Sequence, residues 1–110
     1  MAYVAITGFR LRSILDAPQF WWHAIRSATQ ARHAPGILSV DVFAVGDIKH
    51  TLTVWQSQEA MQTYVRSGAH LKAMQSFRKF DGAKVYSFEA DQAPSRLAAH
   101  KLWQSKARAI

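Results

Sequence analysis

Two β-rich segments, ILSVDVFAV at 37–45 and IKHTLTVWQ at 48–56, stand with only Gly46-Asp47 between them. A gap of that size closes a hairpin, so the segments pair antiparallel. Side chains alternate between the two faces of a strand. In the second segment Leu52 and Val54 share a face with His50, while Thr51, Thr53 and Trp55 take the other. In the first, Leu38, Val40 and Val42 are expected on one face and Ile37, Phe43 and Val45 on the opposite one. Both faces of this hairpin are apolar, and neither is stable in water without cover.

The rest of the chain supplies that cover. Residues 3 to 11 (YVAITGFRL) read as a strand, and Asp16-Ala17-Pro18-Gln19 as a helix start with Asp16 as cap. Phe20, Trp21, Ala24, Ile25 and Ala28 follow at helical spacing, and Pro35-Gly36 ends that segment. Ser57 caps a second helix carrying Met61, Tyr64 and Val65. Gly68 interrupts it, and a helix resumes over 69–78 with Leu71, Met74 and Phe77. Asp81-Gly82 is a turn, 83–89 a fourth strand, and Asp91 to Pro94 the start of a last helix bearing Ala99, Trp103, Ala107 and Ile110.

The order β-α-β-β-α-β is the ferredoxin-like plan of an α+β domain with a four-stranded antiparallel sheet. The 110 residues make one domain, 1–110, with 92–110 as a C-terminal helical extension. Both central helices must lie on one face of the sheet. We assign them to the Leu52/Val54 face, which leaves the Trp55 face for a second copy of the chain, a homodimer.

Composition removes several function classes. There is no cysteine, hence no disulfide, zinc-thiolate site or cysteine nucleophile, in keeping with a cytoplasmic protein. No apolar run approaches the ~20 residues of a membrane span, and MAYVAITGFRLR lacks the order of a signal peptide. The net charge of +7 is unevenly spread. From Gln92 onward there are four basic residues and no acid, against ten basic and seven acidic residues before it. That pattern reads as a solvated helix face, not a nucleic-acid reader. His23 and His33 are ten residues apart, about 15 Å along their helix, too far to share a metal, and neither HExxH nor a phosphate-binding glycine loop is present. Asp41, within an apolar strand, is expected at an exposed edge or paired with a base.

Residues 52 to 74, LTVWQSQEAMQTYVRSGAHLKAM, resemble the dimeric α+β barrel superfamily in which antibiotic-biosynthesis-type monooxygenases sit. Haem-degrading monooxygenases share the Leu52-Thr53-Val54-Trp55-x-Ser57 opening. The spheroidene-monooxygenase-like branch shares the aromatic-x-x-Ser-Gly-x-His-x-x-x-Met pattern from Tyr64 to Met74. In the haem-degrading branch this helix carries a Trp that distorts the haem and, further along, a His that ligates iron. Tyr64 and Met74 hold those places here, and the Asn of the first strand falls near Thr7, so that triad is not matched.

The resemblance implies a small monooxygenase-like protein acting on an apolar or aromatic molecule, haem-assisted or cofactor-free. The alternative is a non-catalytic ligand-binding or stress-related dimer. His70 is the candidate catalytic residue and, with Met74, the candidate cofactor contact; Trp55, Tyr64, Val54 and Thr7 are the candidate pocket. A histidine in the first turn of a helix tends to be neutral, able to ligate iron or accept a proton. The plain reading of His70 as a capping or surface residue stays open beside it, as does interface packing for Trp55.

Overall fold

The computed structural model describes residues 2–10, 17–66 and 81–109. The elements run β1 (Ala2–Arg10), α1 (Ala17–Arg32), β2 (Ile37–Val45), β3 (Ile48–Trp55), α2 (Gln58–Val65), β4 (Asp81–Ala90), α3 (Arg96–Lys106) and β5 (Arg108–Ala109). The sheet order is β2-β3-β1-β4-β5, antiparallel throughout. This is the expected ferredoxin-like sheet with one addition. The two-residue β5, which follows α3, pairs Arg108 with Val85 and Ala109 with Lys84.

The hairpin forms as expected, with Val45 opposite Ile48. A bulge between Ile37 and Ser39 shifts the phase of β2. Ile37 therefore pairs with Trp55 and joins the face of Val40 and Val42, instead of the face of Phe43 and Val45. Leu38 is turned out at the edge.

The two faces of the sheet are covered by different helices, and the assignment made from sequence is reversed. Trp55 is fully buried within a single chain, against Ala31 of α1 and Tyr64 of α2. The Trp55 face is thus the one beneath α1 and α2, not a face left for a second copy. Val4, Ile6, Leu52 and Val54 form the other core, under Ala99 and Trp103 of α3. Parity along a strand tells which residues share a face but not which helix covers it, and that is where the reading failed.

The packing of α1 explains the reversal. Among its described side chains the buried ones are Ala24, Ser27, Ala28 and Ala31, spaced three or four apart and all small. A small stripe brings the helix backbone close to the sheet, and the large rings of Trp55 and Tyr64 fill the remaining space. Ile25, expected in that stripe, is 62 % exposed, and Trp21 is also turned outward. Trp22 is 60 % exposed beneath the Arg26 guanidinium.

Both shorter helices are capped as their sequences require. Ser57 accepts from the Ala60 N–H, and Ser95 accepts from the Ala98 N–H. The C-terminal helix docks on the domain, as its apolar stripe predicted. Trp103 donates its indole N–H to the Lys84 carbonyl at 2.9 Å. Asp41 on the edge strand β2 receives a two-pronged bond from Arg96 of α3, at 2.7 and 2.8 Å. Gly8 makes this docking possible, because a Cβ there would lie 2.5 Å from the Trp103 ring and 2.8 Å from His50. No described helix is long and apolar enough to cross a membrane.

Candidate functional site

The site lies on the face covered by α1 and α2. At the end of β3 the Trp55 and Tyr64 rings meet with centroids 5.0 Å apart, tilted by 34°. The Tyr64 hydroxyl donates to the Ser27 carbonyl oxygen at 2.9 Å, tying α2 to α1. Burial raises the Tyr64 pKa well above the ordinary phenol value. Tyr64 therefore keeps its proton and serves as a donor.

Two buried polar atoms beside this tyrosine lack partners among the described residues: the Trp55 indole nitrogen and the Ser27 hydroxyl. Leaving such a group unpaired costs about 1–3 kcal/mol.

Tyr64, though neither Trp55 nor Ser27, also lines a cleft of about 640 Å³ between the end of α1, the turn into β2 and α2. That is within the size range of small-molecule sites. Tyr64 is one wall, Thr63 and Ala60 continue it along α2, and Thr29, Gln30 and His33 line the α1 side. The floor is set by Gly36, whose φ is +84° and whose Cβ position would fall 2.6 Å from the Ala60 methyl. The Gly36 carbonyl accepts from the Gln56 N–H at 2.7 Å, closing the rim.

His33 is the one imidazole among the described residues that line the cleft. Its Nδ1 lies 2.8 Å from the Thr29 carbonyl oxygen. A carbonyl only accepts, so Nδ1 carries a proton and, in the neutral ring, Nε2 holds the free lone pair. The arrangement offers an aromatic wall, polar side chains at Thr29, Gln30 and Gln56, and one base.

The residues singled out from sequence are divided by the fold. Trp55 and Tyr64 come together, and of the two only Tyr64 lines the cleft. Thr7 shares their face but pairs with Thr51, four residues along β3, and its carbonyl faces His50. Val54 points to the opposite face, into the core with Val4 and Ile6, and is not a pocket residue. His70, Met74 and the Ser67-Gly68 break lie outside the described residues. Sequence reasoning missed Ser27 and His33. The small-residue spacing Ala24, Ser27/Ala28, Ala31 was the available signal for the first, and only the α1–β2 turn geometry reveals the second.

No protein-family model matches the sequence, and no curated protein matches it. The fold, however, is that of proteins described as antibiotic biosynthesis monooxygenases and oxygenases. One solved structure that it resembles is SnoaB of Streptomyces nogalater, described as a cofactor-independent oxygenase. That likeness has a TM-score of 0.69 and 16% identity over 84% of this chain and 95% of that one. Rv0793 of Mycobacterium tuberculosis matches with a TM-score of 0.74 and 17% identity, over 86% of this chain and all of that one. A candidate antibiotic biosynthesis monooxygenase of Nitrosomonas europaea matches with a TM-score of 0.73 and 10% identity, over 86% and 94%. At these identities the likeness establishes the architecture, and chemistry must be argued from the residues.

Proposed function

We propose that this chain is a small monooxygenase-like enzyme that binds an apolar or aromatic molecule in the cleft between α1 and α2. The observation that carries the reading is the double role of Tyr64, which stacks on Trp55 and also walls the cleft. The likeness to SnoaB, described as a cofactor-independent oxygenase, supports the reaction class.

In the cofactor-free form the substrate supplies the electrons: a CH2 group and O2 give C=O and water. The protein's part is then to hold the ring against Tyr64, present donors to developing oxyanions, and take a proton at a base such as His33 Nε2. His70 and Met74, which follow Tyr64 in the chain, are the residues this reading assigns to proton transfer or to haem. Haem, when bound, would supply oxygen activation at iron.

The same reading includes a homodimer. Its support is the set of large apolar side chains left exposed, Trp22 and Ile25 on α1, Leu38 on β2 and Leu97 on α3. The basic C-terminal helix is not read as a nucleic-acid surface, since Arg96 is held by Asp41 and Lys106 sits over the Tyr86 ring.

Oxygen uptake on a panel of hydroxylated polycyclic aromatics, with and without haemin, tests the proposal. The wild type should consume oxygen with at least one compound, and Tyr64→Phe and His70→Ala should slow it. A Soret band that His70→Ala abolishes assigns the haem-assisted form. Tight binding without oxygen uptake, under either condition, makes the chain a ligand-binding protein instead.

A further inference from the structure

The sheet face opposite the cleft holds a second polar cluster. His50 on β3 is 1 % exposed and His100 on α3 is 8 % exposed. His50 Nδ1 lies 3.2 Å from the Thr7 carbonyl oxygen, and its Nε2 lies 2.7 Å from His100 Nδ1. Trp103 stands edge-on to the His50 ring with centroids 5.0 Å apart, and Phe43 lies at 5.3 Å.

These bonds fix the proton count. The Thr7 carbonyl can only accept, so His50 Nδ1 carries a proton. Neutral His50 then has a bare Nε2, and His100 Nδ1–H donates to it. One additional proton can sit on His100 Nε2 with both bonds intact. A second must go to His50 Nε2, which sets N–H against N–H across 2.7 Å. It also places a charge where burial disfavours one.

Among the described residues nothing nearby offsets that charge. From β1, Arg10 is paired with Asp47. From β2, Asp41 is committed to Arg96 of α3. From β4, Lys84 contributes its carbonyl to Trp103. From α3, Lys106 lies over the Tyr86 ring. Among the described residues no carboxylate bonds either imidazole.

We propose that the His50–His100 pair is an acid-sensitive latch that holds α3 on the sheet and releases it when both imidazoles are protonated. Release uncovers Val4, Ile6, Leu52 and Val54. The Asp41–Arg96 bond ties the first turn of α3 to β2 and the β5 pairing ties the chain after its last turn to β4, so release opens the middle of the helix, around Ala99 and Trp103.

Hydrogen–deuterium exchange of the full chain between pH 7.5 and 4.5, corrected for intrinsic rates, tests the latch. Protection of α3 should fall by up to about tenfold per pH unit below the ordinary imidazole pKa of 6.5, where the released His50 binds a proton that the docked one refuses, the dependence of a one-proton step. Strands β1 and β3 should stay protected. His50→Gln keeps an acceptor near the Nε2 position but cannot take the charge, so its α3 protection should be flat. His100→Asn removes the neighbouring charge and can turn its amide to accept from a protonated His50 Nε2, so the docked helix tolerates that proton better and release should move to lower pH. Asp41→Asn should retain the wild-type pH dependence. A flat wild-type profile, an unchanged profile in His50→Gln, an unshifted one in His100→Asn, loss of the dependence in Asp41→Asn, or simultaneous loss of protection in helix and strands would overturn the proposal.

Discussion

Tyr64 joins three elements through one side chain: its ring lies 5.0 Å from that of Trp55 on β3, and its hydroxyl donates to the Ser27 carbonyl of α1. The ring stacking and the hydroxyl bond are separable. Tyr64→Phe keeps the packing and leaves a buried carbonyl without its donor, a loss of about 1–2 kcal/mol. Tyr64→Ala also opens a cavity and should cost about 3–5 kcal/mol. Urea denaturation of the two variants checks both values and their order.

Gly8 should not tolerate a methyl group. The added Cβ meets two buried rings, Trp103 and His50, neither free to swing aside. Gly8→Ala is expected to cost about 1–3 kcal/mol by overpacking. Gly46→Ala meets no atom within 4 Å and suffers only the backbone strain of φ +61°. Thermal melts should rank Gly8→Ala below Gly46→Ala.

Global stability should fall in acid because of His50. Burial lowers its pKa below the ordinary 6.5, the adjacent His100 lowers it further, and the Thr7 bond opposes. Below pH 6.5 the unfolded chain binds a proton that the folded chain refuses. The stability is therefore fully present above that pH and is lost as pH falls toward the folded value, by up to about 1.4 kcal/mol per unit. Denaturation curves for wild type and His50→Gln at pH 7.5 and 5.5 should show this loss only in the wild type.

Removing residues 92–110 should lower thermal stability or solubility. The truncation bares Val4, Ile6, Leu52 and Val54, and it removes Trp103, whose burial contributes on the order of 2–3 kcal/mol. An unchanged melting temperature would mean that α3 adds nothing to the core.

The strands, the hairpin and the capped helices were legible because alternation, Gly46-Asp47, Ser57 and a buried apolar stripe are local signals. Asp41 was legible too, since a carboxylate in an apolar strand needs a partner, and Arg96 provides it. What covers each face was not legible. Val54 and Trp55 are adjacent and both apolar, and only the docking of α1 and α3 tells their faces apart. The His50–His100 pair was hidden for the same reason: fifty residues separate two imidazoles 2.7 Å apart, and neither sits in a motif. Ile37 was misplaced because a single extra residue in a bulge inverts parity without altering composition.

The central claim is that a small aromatic molecule binds beside Tyr64 in the cleft between α1 and α2. Calorimetric titration of 1-naphthol into the wild type and into Thr63→Trp, whose indole would fill the cleft from the α2 side, tests it most directly. Saturable binding by the wild type, weakened about tenfold or more in Thr63→Trp, a difference of about 1.4 kcal/mol, is the expected result. No binding, or equal binding by both proteins, would contradict it.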